Sequence, residues 1–170
     1  EVAARPGYGR VVLGRWVHVG DGTRLRAHEG TLRIGDKVVF GRGDTVNTYL
    51  DVEIGARTLV ADWVYITDFD HRFDHPDLPI KDQGIVKSPV RIGPDCWLGV
   101  KVSVLRGSVV GRGCVVAAHA VAPRQSYMQF WRDDLQWLAD QCVDDNVIMA
   151  GDFNATIDHM TNLGVGGGTL

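Results

Sequence analysis

The chain has 170 residues, 18 Lys and Arg against 21 Asp and Glu, a net charge of −3, 21 glycines and three cysteines. That length accommodates one domain, at most two. The mild acidity gives no charge-based case for nucleic acid, the apolar runs are too short for a membrane span, and an odd, unspaced set of cysteines fits reduced thiols. The first residues, EVAARPGYGR, lack the apolar core of a secretory signal, so the expected location is cytoplasmic.

Residues 1–33 are loosely patterned. Val12, Leu13, Val17 and Val19, with Gly14, Gly20 and Gly22, read as an imperfect first turn of something repetitive. From Ile34 a period of six sharpens: Ile34-Gly35, Phe40-Gly41, Val46-Asn47, then a two-residue shift around Tyr49–Glu53, then Ile54-Gly55, Val60-Ala61 and Ile66-Thr67. A helix needs a period of 3.6 and an ordinary strand a period of 2, so neither explains it.

Residues 70–89 break the period with three prolines and two histidines, His71 and His75. A long excursion from a rigid scaffold is a functional candidate, and its Leu78-Pro79-Ile80 run offers a way to dock it. From Val90 to Val121 the period returns at its clearest, with Ile92, Leu98, Val104, Val110 and Val116 usually followed by a small residue (Gly93, Gly99, Gly111, Ala117). Cys96, Val102, Ser108, Cys114 and Ala120 recur four positions on.

A six-residue period describes a solenoid in which each hexapeptide gives one short strand and one turn, the glycines serving the turns. With three hexapeptides per coil, Ile92 stacks under Val110, Leu98 under Val116 and Cys96 under Cys114, about 4.8 Å apart. The expectation is a β-helix of about five coils over residues 34–121, with the 70–89 loop emerging from one corner.

Beyond Val121 the period stops and the charge changes: residues 1–123 carry 16 basic and 14 acidic side chains (+2), residues 124–170 carry 2 and 7 (−5). Ser126–Cys142 has the apolar spacing of an amphipathic helix, with Ser126 and Gln129 as a capping box. Asn146–Ala150 reads as a buried strand ending in Gly151-Asp152-Phe153-Asn154. The division expected is a domain over 1–121 and an appendage over 122–170.

The repeats, with DFDHRFDHPDLPI followed by SPVRIGPDCWLG, resemble the hexapeptide-repeat acyltransferases of the maltose and xenobiotic acetyltransferase type over about residues 10–121. The resemblance implies an all-β fold, a left-handed parallel β-helix, with acetyl-CoA as acyl donor, a small sugar-like hydroxyl or amine acceptor, and a homotrimer. It also implies His71 as the catalytic general base, since the family places its histidine where the loop leaves the solenoid. Imidazole suits that work near neutral pH, with a carboxylate or carbonyl holding its other nitrogen. The acyl-CoA wall carries over to Trp97, Gly99 and Val100, and to Ala118 one coil later. The family's closing V-x-G-N-P-A run does not follow Val121. His71 and His75 lack the spacing of the zinc-binding β-helices, so no metal is expected in this domain.

The tail, VIMAGDFNATIDH, resembles the endonuclease/exonuclease/phosphatase superfamily over about residues 123–163. That resemblance implies a Mg²⁺ site at Asp152 and Asn154, but the family's other ligands come from distant strands that this chain lacks. A lone carboxylate holds Mg²⁺ weakly, so the pair is expected to be inert. The chain thus reads as a join of two families. Acetyl transfer is the leading function, with a Mg²⁺-dependent phosphodiesterase fragment and an inactive chimera as alternatives.

Overall fold

The computed structural model describes residues 1–122 and the strand Val147–Ile148. The chain winds into a triangular prism. A first strand, β1 (Val2–Ala4), precedes five complete coils. The first coil is β2 (Gly9–Leu13), β3 (His18–Val19) and β4 (Arg24–Ala27), and the second is β5 (Gly30–Ile34), β6 (Val39–Phe40) and β7 (Thr45–Thr48). The third is β8 (Asp51–Ile54), β9 (Leu59–Val60) and β10 (Tyr65–Thr67). A hairpin of β11 (Phe69–His71) and β12 (Ile85–Lys87) intervenes. The fourth coil is β13 (Val90–Ile92), β14 (Trp97–Leu98) and β15 (Ser103–Val104), and the fifth is β16 (Val109–Val110), β17 (Val115–Val116) and β18 (Val121–Ala122). Strand β19 (Val147–Ile148) pairs in parallel with β17.

All three faces are parallel sheets. The first face runs β1-β4-β7-β10-β15-β18, the second β2-β5-β8-β13-β16 and the third β3-β6-β9-β14-β17-β19. The expected stacking is present, with Ile92 opposite Val110 and Leu98 opposite Val116. Ile92, Leu98 and Val104 all point into one core, at most 2% exposed, and Cys96, Val102, Ser108, Cys114 and Ala120 are buried beside them. Leu98 alone contributes about 2 kcal/mol by leaving water. The coils begin well before Ile34. The early ones carry extra residues at their corners, as the pairing of Leu13 with Ile34 across twenty-one positions shows, so a six-residue template misses them.

The small residue after each inward branched one serves a purpose other than the turn. Gly35, Gly55, Gly93 and Gly99 keep negative φ, and an added Cβ would lie 2.3–2.7 Å from the next coil's backbone nitrogen. The left-handed turn residues come two positions later and are mostly not glycine: Lys37, Arg57, Asp95 and Lys101 at φ of 58–63°.

Two buried carboxylates lie within the coils. Asp68, fully buried, accepts hydrogen bonds from the N–H groups of Tyr49 (2.8 Å), Leu50 (2.7 Å) and Asp51 (2.7 Å), closing the shifted corner with charge-assisted bonds. Asp44, also fully buried, occupies an inward position of the same row as Val64 and Val102; its Oδ1 accepts from Val64 N–H at 2.8 Å and its Oδ2 has no partner.

The expected helix over 126–142, the GDFN motif and the Mg²⁺ candidates Asp152 and Asn154 lie outside the described residues. Among the described residues no helix is long and apolar enough to cross a membrane.

Candidate active site

His71 ends β11, where the chain leaves the corner between the first and second faces. Antiparallel pairing fixes its backbone, with Phe69 opposite Lys87, Asp70 opposite Val86 and His71 opposite Ile85. Ion pairs tie the hairpin to coils on both sides. Arg106, 13% exposed, donates through Nε to Asp70 from the following coil, and Lys87 reaches back to Glu29 two coils earlier. Lys87 holds the Glu29 carboxyl below the usual carboxylate range.

A ladder of rings runs up the same corner. His28 stacks on Tyr49 with centroids 4.8 Å apart, Tyr49 meets Phe69 at 4.5 Å, and Phe69 meets the His71 ring edge-on at 6.1 Å. Lys87 Nζ lies 5.6 Å over the Tyr49 ring, and His28 Nε2 is 3.4 Å from Asn47 Oδ1. These groups come from successive coils, so their meeting becomes visible in the sequence only once the coil length is known. The ladder gives the hairpin a rigid base behind His71.

The imidazole of His71 is exposed, and no carboxylate or carbonyl among the described residues of this chain holds either ring nitrogen. The hairpin's outer part is stapled by Gln83, whose Oε1 accepts from His75 N–H at 3.0 Å and whose Nε2 donates to the carbonyls of His75 (2.9 Å) and Leu78 (2.8 Å). Leu78 and Ile80 do not dock on the described residues: they are 47% and 58% exposed, and Phe73 is 73% exposed. With its base held by ring stacking and ion pairs, the loop has no need of its tip for anchorage.

The acyl-donor candidates sit on a different corner. Trp97 stands outward on β14, about half exposed, and Gly99 and Val100 follow at the corner between the third and first faces. Ala118 is exposed one coil above, with Gly99 packed against its backbone nitrogen. His119 N–H donates to the Val100 carbonyl at 2.8 Å, one rung of a corner ladder that continues down through Lys101 to Asp62 (3.0 Å), Trp63 to Arg42 (2.9 Å) and Gly43 to Asp21 (2.9 Å). The single chain therefore brings Trp97, Gly99, Val100 and Ala118 together, but His71 leaves from another corner.

Cys96 and Cys114 are free thiols whose burial raises both above the ordinary thiol value. A buried, protonated thiol is a poor nucleophile. Among the described residues no group of three or more His, Cys, Asp or Glu is placed to hold a metal.

Residues 89–123 match the model of the bacterial transferase hexapeptide family, described as six repeats. The chain is 65% identical over 121 residues to Rv3034c of Mycobacterium tuberculosis (strain ATCC 25618 / H37Rv), named as an acetyltransferase, which covers 71% of this chain and 40% of that protein. It is 35% identical over 121 residues to WbbJ of Escherichia coli (strain K12), whose name assigns it to O-acetyl transfer in lipopolysaccharide biosynthesis, covering 66% of this chain and 62% of that protein. The chain thus spans less than two thirds of the length of these relatives. In fold it is similar to a mutant of AntD, an N-acyltransferase from Bacillus cereus in complex with dTDP-4-amino-4,6-dideoxyglucose and coenzyme A: TM-score 0.53, 13% identity, 80% of this chain and 88% of that one. Repeat, fold and sequence likeness together make this a solenoid built of bacterial transferase hexapeptide repeats, similar to part of proteins named as acetyltransferases.

Proposed function

We propose that the chain transfers an acetyl group from acetyl-CoA to a hydroxyl or amine of a small sugar-like acceptor, with His71 as general base. The observation that carries this reading is the exposed imidazole at the root of a braced hairpin, beside a solenoid whose sequence relatives are named acetyltransferases. Neutral His71 would take the acceptor's proton as its oxygen or nitrogen attacks the thioester carbon; the proton then passes to the departing thiolate of coenzyme A. No covalent enzyme intermediate is needed, which fits two cysteines buried in the core. Exposed Ala118 and half-buried Val100 leave a strip of corner poor in side chains, along which an extended pantetheine arm can lie with Trp97 at its edge.

Because the His71 corner and the Trp97 corner belong to different edges of one prism, we infer that a complete site forms between copies, as a homotrimer would provide. Phe73, Leu78 and Ile80, exposed at the outer part of the hairpin, supply the apolar contact such an assembly uses. On this reading residues 1–121 form the catalytic domain and 122–170 an appendage, whose strand β19 pairs with β17.

The test is acceptor-dependent release of coenzyme A from acetyl-CoA across a panel of sugars and amino sugars. Release above the acceptor-free rate with at least one of them is expected. Release indifferent to every acceptor would contradict the reading.

A further inference from the structure

The corner that carries Gly99, Val100 and Ala118 continues downward into a feature that acetyl-donor binding does not use. One, two and three coils below, Trp63, Gly43 and Gly22 occupy the turn position that Lys101 and His119 occupy above. Trp63 is 61% exposed with φ of 63°, an uncommon backbone for a bulky residue. The turn itself does not ask for tryptophan, since glycine makes it without strain at 22 and 43.

The ring has a defined seat. A Cβ added to Gly43 would come within 2.5 Å of Trp63 Cε3 and Cζ3 and 2.9 Å of Cη2, so the six-membered ring lies directly on the Gly43 backbone. Trp63, Gly43 and Gly22 line an open groove of about 280 Å³ together with Asp21, Arg24 and Arg42. Neither Arg24 nor Arg42 has a side-chain ion-pair partner among the described residues, although Arg15, Arg26, Arg33, Arg57, Arg91, Arg106 and Arg112 each have one. A flat aromatic surface binds the apolar face of a sugar ring, and guanidinium groups recognise phosphate or carboxylate through paired N–H donors.

We propose that this groove is the acceptor subsite, and that the acceptor is a pyranose carrying an anionic group. Trp63 receives the ring face, Arg24 and Arg42 hold the phosphate or carboxylate, and Asp21 accepts from a sugar hydroxyl. Trp63 lies one rung below the corner rung that holds Val100 and Lys101, so the groove and the acyl-donor wall follow one corner of the prism. The inference deepens the acetyl-transfer reading and rests on it for the role, though not for the binding.

The experiment measures binding by calorimetry on the full chain without acyl donor, using glucose 1-phosphate, glucuronate and glucose. Both anions are expected to bind saturably and glucose about tenfold or more weakly. Arg42→Gln and Arg24→Gln should each weaken the anions about tenfold while leaving glucose unchanged, and Trp63→Ala should weaken all three. Gly43→Ala, which displaces the ring without removing it, should do the same as Trp63→Ala. A preference for glucose 1-phosphate assigns the anion as phosphate, and a preference for glucuronate assigns it as carboxylate. No saturable binding of either anion, or binding indifferent to Trp63→Ala and to both arginine variants, overturns the proposal. Binding with this variant pattern but no acetyl transfer to any acceptor leaves the subsite standing and removes the catalytic reading. Transfer whose acceptor KM ignores all four variants does the reverse.

Discussion

Arg106 and Asp70 form an ion pair across thirty-six residues of chain, joining the fourth-to-fifth-coil corner to the strand that ends in His71. The guanidinium is nearly buried and the carboxylate about one-third exposed, so the pair is worth more than a surface contact yet less than a fully buried one. Its position matters more than its strength, because Asp70 is the residue before the proposed base. Arg106→Met should cost about 1–2 kcal/mol of stability. It should lower kcat about tenfold through misplacement of the imidazole, with KM for the acyl donor unchanged. Urea unfolding and steady-state kinetics read the two effects separately; an unaltered kcat would show that the hairpin holds its position without the pair.

The two-corner arrangement makes a prediction about mixed assemblies. His71→Ala and Ala118→Trp should each abolish transfer when expressed alone. Co-expressed, they should recover about a quarter of the wild-type sites, since one copy supplies an intact His71 and its neighbour an intact donor corner. The double variant in one chain should recover nothing when mixed with itself. Absence of recovery in a co-purified mixed oligomer would place both halves of the site within one copy.

Asp44 predicts a stability that falls with rising pH. Burial first, and the nearby Asp62 charge, push its carboxyl up from the ordinary 3.8 to about 7, against the opposing hydrogen bond from Val64 N–H. The raised value means that the folded state keeps the proton after the unfolded state has lost it. The full contribution is therefore present below about pH 4, declines between about pH 4 and 7, and levels off above that. Asp44→Asn replaces the acid with a neutral group of the same shape. It should leave the melting temperature at pH 4 nearly unchanged and raise stability at pH 8 by roughly 2–4 kcal/mol relative to wild type. Parallel melting curves for the two proteins across that range would contradict the account.

Gly93→Ala should destabilise by about 2 kcal/mol or more, because its Cβ would sit 2.7 Å from the backbone nitrogen of Arg112 and a rigid coil must move. At Lys37, by contrast, replacement by Gly relieves a left-handed residue at φ 59° and should change stability by well under 1 kcal/mol. Comparing urea midpoints for the two variants distinguishes close approach of coils from turn strain. A larger loss at Lys37→Gly would restore the turn as the reason for the repeat's glycines.

What the sequence made legible follows from the same geometry. Ile92, Leu98, Val104, Val110 and Val116 announce themselves because in an eighteen-residue coil every sixth residue must face the core. The first coils hide theirs, since extra corner residues put Leu13 and Ile34 out of step with a strict template. Asp44 and Asp68 were not legible as core residues, because a buried carboxylate is recognisable only from the N–H groups it meets. His71 could be singled out from its place at the loop exit, whereas the His28–Tyr49–Phe69 ladder behind it needed the coil-to-coil register. The exposed tip of the hairpin, expected to dock through Leu78-Pro79-Ile80, shows that an apolar run does not by itself name the surface it meets.

The central claim is that His71 removes the acceptor's proton during acetyl transfer. The most direct measurement is turnover of His71→Ala with acetyl-CoA and the best acceptor of the panel, beside a thermal melt. Because the imidazole is exposed and bears no hydrogen bond that the fold requires, the melt should match wild type while kcat falls by about 10²-fold or more. Wild-type turnover in a folded His71→Ala protein would contradict the account.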